Sequence, residues 1–302
     1  MEIKLPEISE IELNKIKSEK IKEVLNDDEL KSVINDYQFS ISDIEKNIYY
    51  FTQYLTQRKI CDTCSGIANC NKIGCHLAFK LKIDENKNVS TILTKCDKQK
   101  ELDKILDKFV IRQFDEEILY YPFRSCMDYF AHERHMLIKR LLEFKNNPTS
   151  NSLYLFGSEE NGKSYILKSF SGFLAKQNST KSIAFVDCKQ ELEYLEKMFA
   201  TDESYFINYL DTMKEVQYLF LDDLGKEFKS VTILKYILIP LIKYRNEKGL
   251  VTFISSNYGI NDLASLYGFG NDMRSLAYSL MNELKNTFDE YYLNGLKFSI
   301  LK

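Results

Sequence analysis

The chain has 302 residues, 28% of them charged, and a net charge of −3. The length allows two domains, one large enough for a full α/β core, and the charge excludes a polycation, so a nucleic-acid role needs a local basic surface. No apolar run approaches the roughly 18 residues of a membrane span, and Met1-Glu-Ile-Lys-Leu-Pro-Glu7 lacks a signal peptide's basic start and apolar core, so a soluble cytoplasmic protein with no membrane partner is expected.

Residues 1–59 carry helical patterns and no glycine. Ile21, Val24 and Leu25 recur at helix spacing, and Ile41, Ile44, Ile48, Phe51 and Leu55 form a longer stripe, read as core. Ser42 or Ser40 caps that second helix, with Glu45 completing a capping box behind Ser42. Cys61-Asp-Thr-Cys64 follows, then Cys70, Cys75, His76 and, past a predicted strand at 89–93, Cys96. Seven cysteines without a secretory signal argue for metal or free thiols rather than disulfides. A C-x-x-C pair can set two thiolates on one tetrahedral Zn²⁺, and later Cys or His residues close the site. The thioredoxin-like setting of a redox C-x-x-C is missing. Cys61 and Cys64 are the firm pair; which two residues join them stays open. Four protein ligands would make the site structural.

Residues 101–125 lack clean periodicity, and Pro122 disfavours helix at Tyr121; this stretch reads as a connection between domains 1–100 and 126–302. Cys126 and Cys188 stand alone and read as buried small residues. His132 and His135 lie on a polar helix, 126–144, and read as solvated. From Asn151 apolar strands alternate with amphipathic helices, the pattern of a parallel sheet covered on both faces. The strands are placed at 153–156, 182–186, 217–223 and 250–257.

Between the first of these strands and a helix from Lys163 lies Gly157-Ser-Glu-Glu-Asn-Gly162-Lys163-Ser164, a G-x-x-x-x-G-K-S phosphate-binding loop. Its glycines let backbone N–H groups converge on phosphate at a helix N-terminus. Lys163 is then placed for the β- and γ-phosphates of ATP, and the Ser164 hydroxyl for Mg²⁺. Asp222 and Asp223 end the third strand, and Asn257 ends the fourth. Strand carboxyl ends gather ligand-binding groups at one edge. Asp222 is expected to hold Mg²⁺ through water, Asp223 to act as general base, and Asn257 to orient the attacking water or sense the γ-phosphate. The strand at 182–186, between loop and acids in the chain, argues for the branch of ATPases holding AAA+ and RecA-like proteins.

These segments resemble the DnaC/DnaI family of AAA+ replicative-helicase loaders, the DnaI type in particular. The residues that carry the resemblance are 153–167 (including Ser158, Asn161 and Tyr165 among candidate nucleotide contacts), Leu221-Asp-Asp-Leu-Gly-Lys-Glu227, Pro240–Arg245 and Thr252–Asn257. The resemblance implies a P-loop AAA+ domain behind a small helical zinc-binding domain that holds the hexameric replicative helicase. It also implies loading onto single-stranded DNA in primosome assembly and self-association through the AAA+ domain. It implies Cys61, Cys64, His76 and Cys96 as zinc ligands, with Cys70 and Cys75 in reserve. One departure stands out. The segment where the family carries its arginine finger reads Ser279-Leu-Met-Asn-Glu-Leu284, leaving only Arg274 nearby. A missing finger costs on the order of 10³–10⁵ in phosphoryl transfer. Two other functions therefore remain in view, a helicase-tethering adaptor with degenerate ATPase activity and an IstB-like transposition helper.

Overall fold

The structure, a computed structural model, describes residues 10–72, 76–124, 132–144, 152–268 and 271–294. The chain divides into two compact units, 1–101 and 102–302.

In the first unit, α1 (Glu10–Asn26), α2 (Asp28–Asp36) and α3 (Ile41–Asp62) pack with an antiparallel hairpin, β1 (Leu77–Ile83) and β2 (Val89–Lys95). Asp27 caps α2 by accepting the Leu30 amide at 3.0 Å and also pairs with Arg58 of α3. The cap of α3 is Ser40, in a capping box with Asp43, so the box sits two residues earlier than the Ser42–Glu45 reading. Ile44, Phe51 and Leu55 of the expected stripe are buried, Ile48 is partly buried, and Ile41 at the helix start is exposed. Asn47 interrupts the stripe yet is itself buried. Its amide donates to the Asp43 and Lys87 carbonyls at 2.8 and 2.9 Å, and its oxygen accepts the Val89 amide at 2.9 Å. A buried amide with every bond made fixes the hairpin on the helix. The unit is therefore not purely helical; the sequence reading saw β2 and missed β1.

The second unit is built on six parallel strands in the order β3-β5-β6-β7-β4-β8. These are β3 (Phe109–Arg112), β4 (Ser152–Phe156), β5 (Ile183–Asp187), β6 (Tyr218–Leu224), β7 (Thr252–Ser256) and β8 (Phe288–Tyr292). Burial on both faces explains why the central strands read as near-continuous apolar runs. One face stacks Phe185, Phe220 and Phe253 against Phe170 of α6 (Lys163–Ala175). The other sets Tyr154, Leu219, Leu221 and Ile254 in one cluster with α7 (Cys188–Thr201), the π-helical stretch Ile233–Leu238 and α11 (Asn271–Thr287). Cys188 is fully buried as expected, whereas Cys126 lies outside the described residues.

Two readings need correction. The stretch 101–125 is not bare connection. Its first half completes α4 (Asp97–Leu106) and supplies the edge strand β3, and the 3-10 turn Glu116–Tyr120 lies against α6. A Cβ at Gly172 of α6 would come within 2.4 Å of Leu119, so the missing side chain there admits the turn. A four-residue edge strand with every other side chain exposed leaves little periodicity to read. Secondly, α5 (His132–Phe144) is amphipathic rather than polar: Leu137, Ile138, Leu141 and Phe144 are buried, and His135 is exposed.

A fully buried arginine ties this unit together. Arg245 of α9 (Ile239–Glu247) donates to the Met213, Lys214 and Val216 carbonyls at 3.1, 2.9 and 2.7 Å, to the Val251 carbonyl at 2.7 Å, and to the Thr252 hydroxyl at 2.8 Å. The first two carbonyls belong to the C-terminal turn of α8 (Glu203–Glu215), where helix carbonyls lack partners and a cation complements the dipole.

Candidate functional site

The phosphate-loop glycines have steric reasons to be glycine. Gly157 has φ +150°, and a Cβ there would lie 2.4 Å from the Leu293 carbonyl oxygen. Gly162, at φ +95°, turns the chain into α6. Asn161 straps the loop down: it is fully buried, donates to the Leu293 carbonyl at 2.7 Å, and its own carbonyl accepts from buried Arg134 at 3.0 Å. Lys163, only 4% exposed, gives its ammonium to the Gly157 and Ser158 carbonyls at 2.9 and 2.7 Å. It also reaches the side-chain oxygens of Asn161 at 3.3 Å and Asn257 at 3.2 Å. Burial pushes this lysine below its ordinary range, with Asp223 and Asp222 pulling the other way.

The two acids diverge at a bulge. The β6–β7 register jumps from Leu221–Ile254 to Leu224–Ser256, and Asp223 adopts φ +60°. Asp222 turns into the protein, 5% exposed, where it accepts from the Ser255 hydroxyl and lies 3.5 Å from the Lys168 ammonium. Burial raises this carboxyl above its usual range; Lys168, Ser255 and Ser164 oppose the rise. Asp223 instead faces the loop's mouth. The Ser255 hydroxyl accepts its amide at 2.9 Å, and its carboxylate pairs with Lys226 at 3.0 Å. One serine thus sets both acids.

Lys163, Ser164, Asn161, Gly162, Tyr165, Asp223 and Asn257 line one cavity of about 200 Å³, together with Glu159, Glu160 and Lys226. Asp222 is buried and outside that lining. Arg274 does not join them: it is exposed on α11 and makes no ion pair with any described residue. Five side chains were given no role in the sequence reading: Lys168, Glu159, Lys226, Glu227 and Arg134. Lys168 follows Ser164 by one helical turn on the same face of α6, a spacing that could have pointed to it. Glu159 accepts from Asn257 at 3.0 Å and pairs with Lys226 at 3.4 Å. Glu227, 1% exposed, accepts the Gly225 amide at 2.9 Å and the Tyr267 hydroxyl, locking the turn after β6.

The described cysteines of the first unit, Cys61, Cys64, Cys70 and Cys96, are half-buried. Cys61, Cys64 and Cys96 line a cavity of about 610 Å³ in that unit. Cys96 follows β2 and His76 precedes β1, and the Cys96 amide donates to the His76 carbonyl at 2.8 Å. The Cys96 sulfur accepts the Gln99 amide at 3.4 Å, while the His76 ring lies 3.3 Å from the Ile67 carbonyl oxygen. The donor set suits zinc in chemistry and the three thiols share one neighbourhood. Among the described residues, however, no three His, Cys, Asp or Glu side chains close on one point. Cys75 lies outside the described residues.

The topology separates β4, which leads into the phosphate loop, from β6, which carries the acids, by β7; β5, between them in the chain, lies on the far side of β6. This parallel sheet with its loop and flanking helices is an α/β fold of the AAA+ type. The chain is similar to DnaI-type AAA+ helicase loaders in both sequence and structure. It is 25% identical over 260 residues to the replicative helicase loader DnaI of Bacillus subtilis (strain 168), covering 81% of this chain and 80% of that one. A crystal structure of DnaI superposes with a TM-score of 0.54 at 26% identity, over 62% of this chain and 98% of that chain. A structure from Streptococcus pyogenes serotype M3, at 22% identity and a TM-score of 0.52 over 64% and 97% of the two chains, shares the fold. No protein-family profile matches the chain. Among the described residues no helix is long and apolar enough to cross a membrane.

Proposed function

We propose that the second unit is an ATPase and that the chain loads a replicative DNA helicase onto single-stranded DNA. The observation that carries this is the gathering of loop, acids and Asn257 at the strand ends of a chain similar to DnaI along four-fifths of its length. Lys163 exchanges its carbonyl partners for phosphate oxygens, a stronger charge-assisted contact. Ser164 and Asp222 would hold Mg²⁺, which supplies neutralisation of phosphate charge. Asp223 accepts the proton of the water that attacks the γ-phosphorus as the bond to the ADP oxygen breaks. Asn257, bonded to both Lys163 and Glu159, is placed to report whether that phosphate is present.

The domain at 1–100 is the helicase-holding domain in this reading, braced by zinc on Cys61, Cys64, His76 and Cys96. Self-association would use 126–302. The absence of arginine from 279–284 favours one competing version, a tether whose ATPase is weak. Co-elution of the full chain with its host's replicative helicase, in ATP, in ADP and without nucleotide, tests the assignment. Binding that responds to nucleotide is expected; no binding in any state rejects the loader. ATP turnover with and without single-stranded DNA then separates loader from tether.

A further inference from the structure

Each acid at the end of β6 carries its own lysine: Lys168 stands on Asp222, and Lys226 on Asp223. Lys168 is not part of the cavity lining, but Lys226 lines the cavity together with Lys163. Its position is not that of a loose surface charge. The turn that bears it is fixed at three points. Its amide donates to the Asp223 carbonyl at 3.1 Å, Gly225 is held at φ +98°, and buried Glu227 takes the Gly225 amide. A Cβ at Gly225 would lie 2.9 Å from Leu263, so the turn has little room to shift. The side chain, by contrast, is about one-third exposed, and its four-carbon stem can swing. Burial is the largest single influence and works against its charge, but the bonds to and charges of Asp223 and Glu159 together outweigh it and hold the ammonium above its ordinary range.

The oxygen partners of Lys226 are Asp223 and Glu159. Glu159 is part of the phosphate loop, so its carboxylate stands where a nucleotide's terminal phosphate would meet a like charge. We propose that Lys226 is a phosphate-binding residue supplied by the same chain. Glu159 holds its ammonium at the mouth of the loop, and Lys226 transfers to the terminal phosphate oxygens when ATP enters. This rests on the ATP reading above. It deepens that reading by giving the site a built-in preference for the triphosphate, because a group reaching only the terminal phosphate distinguishes ATP from ADP.

The test is equilibrium titration of the full-length chain with ATP and with ADP, in magnesium, for wild type, Lys226→Ala, Lys226→Arg, Glu159→Gln and Lys163→Ala. Loss of one charge-assisted contact should weaken ATP about tenfold in Lys226→Ala while ADP changes less than about twofold. Lys226→Arg should keep the ATP preference. Glu159→Gln, which frees the ammonium and removes a like charge, should strengthen ATP about threefold. An unchanged ATP-to-ADP ratio in Lys226→Ala, or an equal loss for both nucleotides, overturns the proposal. Lys163→Ala separates the two levels. If it loses both nucleotides while Lys226→Ala keeps the wild-type ratio, Lys226 alone is misassigned. If it binds both as wild type does, the ATP site itself is wrong and Lys226 falls with it.

Discussion

The phosphate loop and the cysteine cluster are both constellations of polar ligands, yet the protein builds them in opposite ways. Around the loop every charged group of the site already has partners within the chain. Lys163 has four oxygens, Asp222 a hydroxyl and a lysine, and the main chain fixes their places through strand ends, a bulge and two left-handed glycines. In the first unit three thiols are brought to one neighbourhood by a helix end and a hairpin base, but among the described residues no three metal-ligating side chains close on a point. The teaching is that a parallel sheet preforms its site, because backbone geometry carries the ligand groups there. In the zinc reading, a small helix-and-hairpin unit would leave the closing to the metal, and metal binding would then become part of folding.

The contrast breaks most visibly at the metal. Purified protein should carry about one Zn²⁺ per chain, and Cys61→Ser with Cys64→Ser should remove it. Residues 61–96 should then lose amide protection from hydrogen exchange while ATP binding by the second unit survives. Zinc-free wild-type protein on elemental analysis removes this half of the contrast.

Arg245 tests the other half. Arg245→Met deletes five hydrogen bonds and strands the carbonyls they served, so urea unfolding of the second unit should show a loss of about 3–5 kcal/mol. A loss below about 1 kcal/mol would mean that internal satisfaction is not what holds that unit.

Smaller effects belong to the acids. Asp222→Asn should weaken Mg²⁺ and Asp223→Asn remove the base, each lowering turnover about 100-fold or more. Equal turnover in Asp223→Asn and wild type would reassign the base.

The mildest effect concerns pH. Free Lys163 lies below its ordinary 10.5, chiefly through burial, and bound phosphate favours its charged form. ATP affinity should therefore fall as pH rises through the free-protein value, earlier than an ordinary lysine would dictate. For the ligand-free fold the sign reverses. The unfolded chain binds more protons in that window, so this group's contribution to stability rises with pH. Nucleotide titrations that are flat up to about pH 10 would contradict it.

What the sequence showed, it showed through periodicity and fixed spacing. Strands 153–156 and 182–186 and the helix start at Lys163 stand within a residue or two of their predicted places, since their burial on both faces writes itself as apolar runs. The edge strand Phe109–Arg112 and the first hairpin strand Leu77–Ile83 did not, because half-exposed strands with charged residues carry weak patterns. The sequence reading gathered Lys163, Asp222, Asp223 and Asn257 at one edge; Lys163, Asp223 and Asn257 line one cavity, while Asp222 is buried outside that lining. Lys226, Glu159 and Arg134 were illegible there. Lys226 reaches the site across a turn and Arg134 from another element, through distances that no spacing encodes, while Glu159, within the loop itself, acts through contacts with Asn257 and Lys226.

The central claim is that the loop at 157–164 holds ATP, and a calorimetric titration of the full-length chain with Mg·ATP tests it most directly, run beside Lys163→Ala. One ATP per chain for wild type is expected, with an affinity loss of about 100-fold or more in the variant. Lys163→Ala binding within about twofold of wild type would contradict the account.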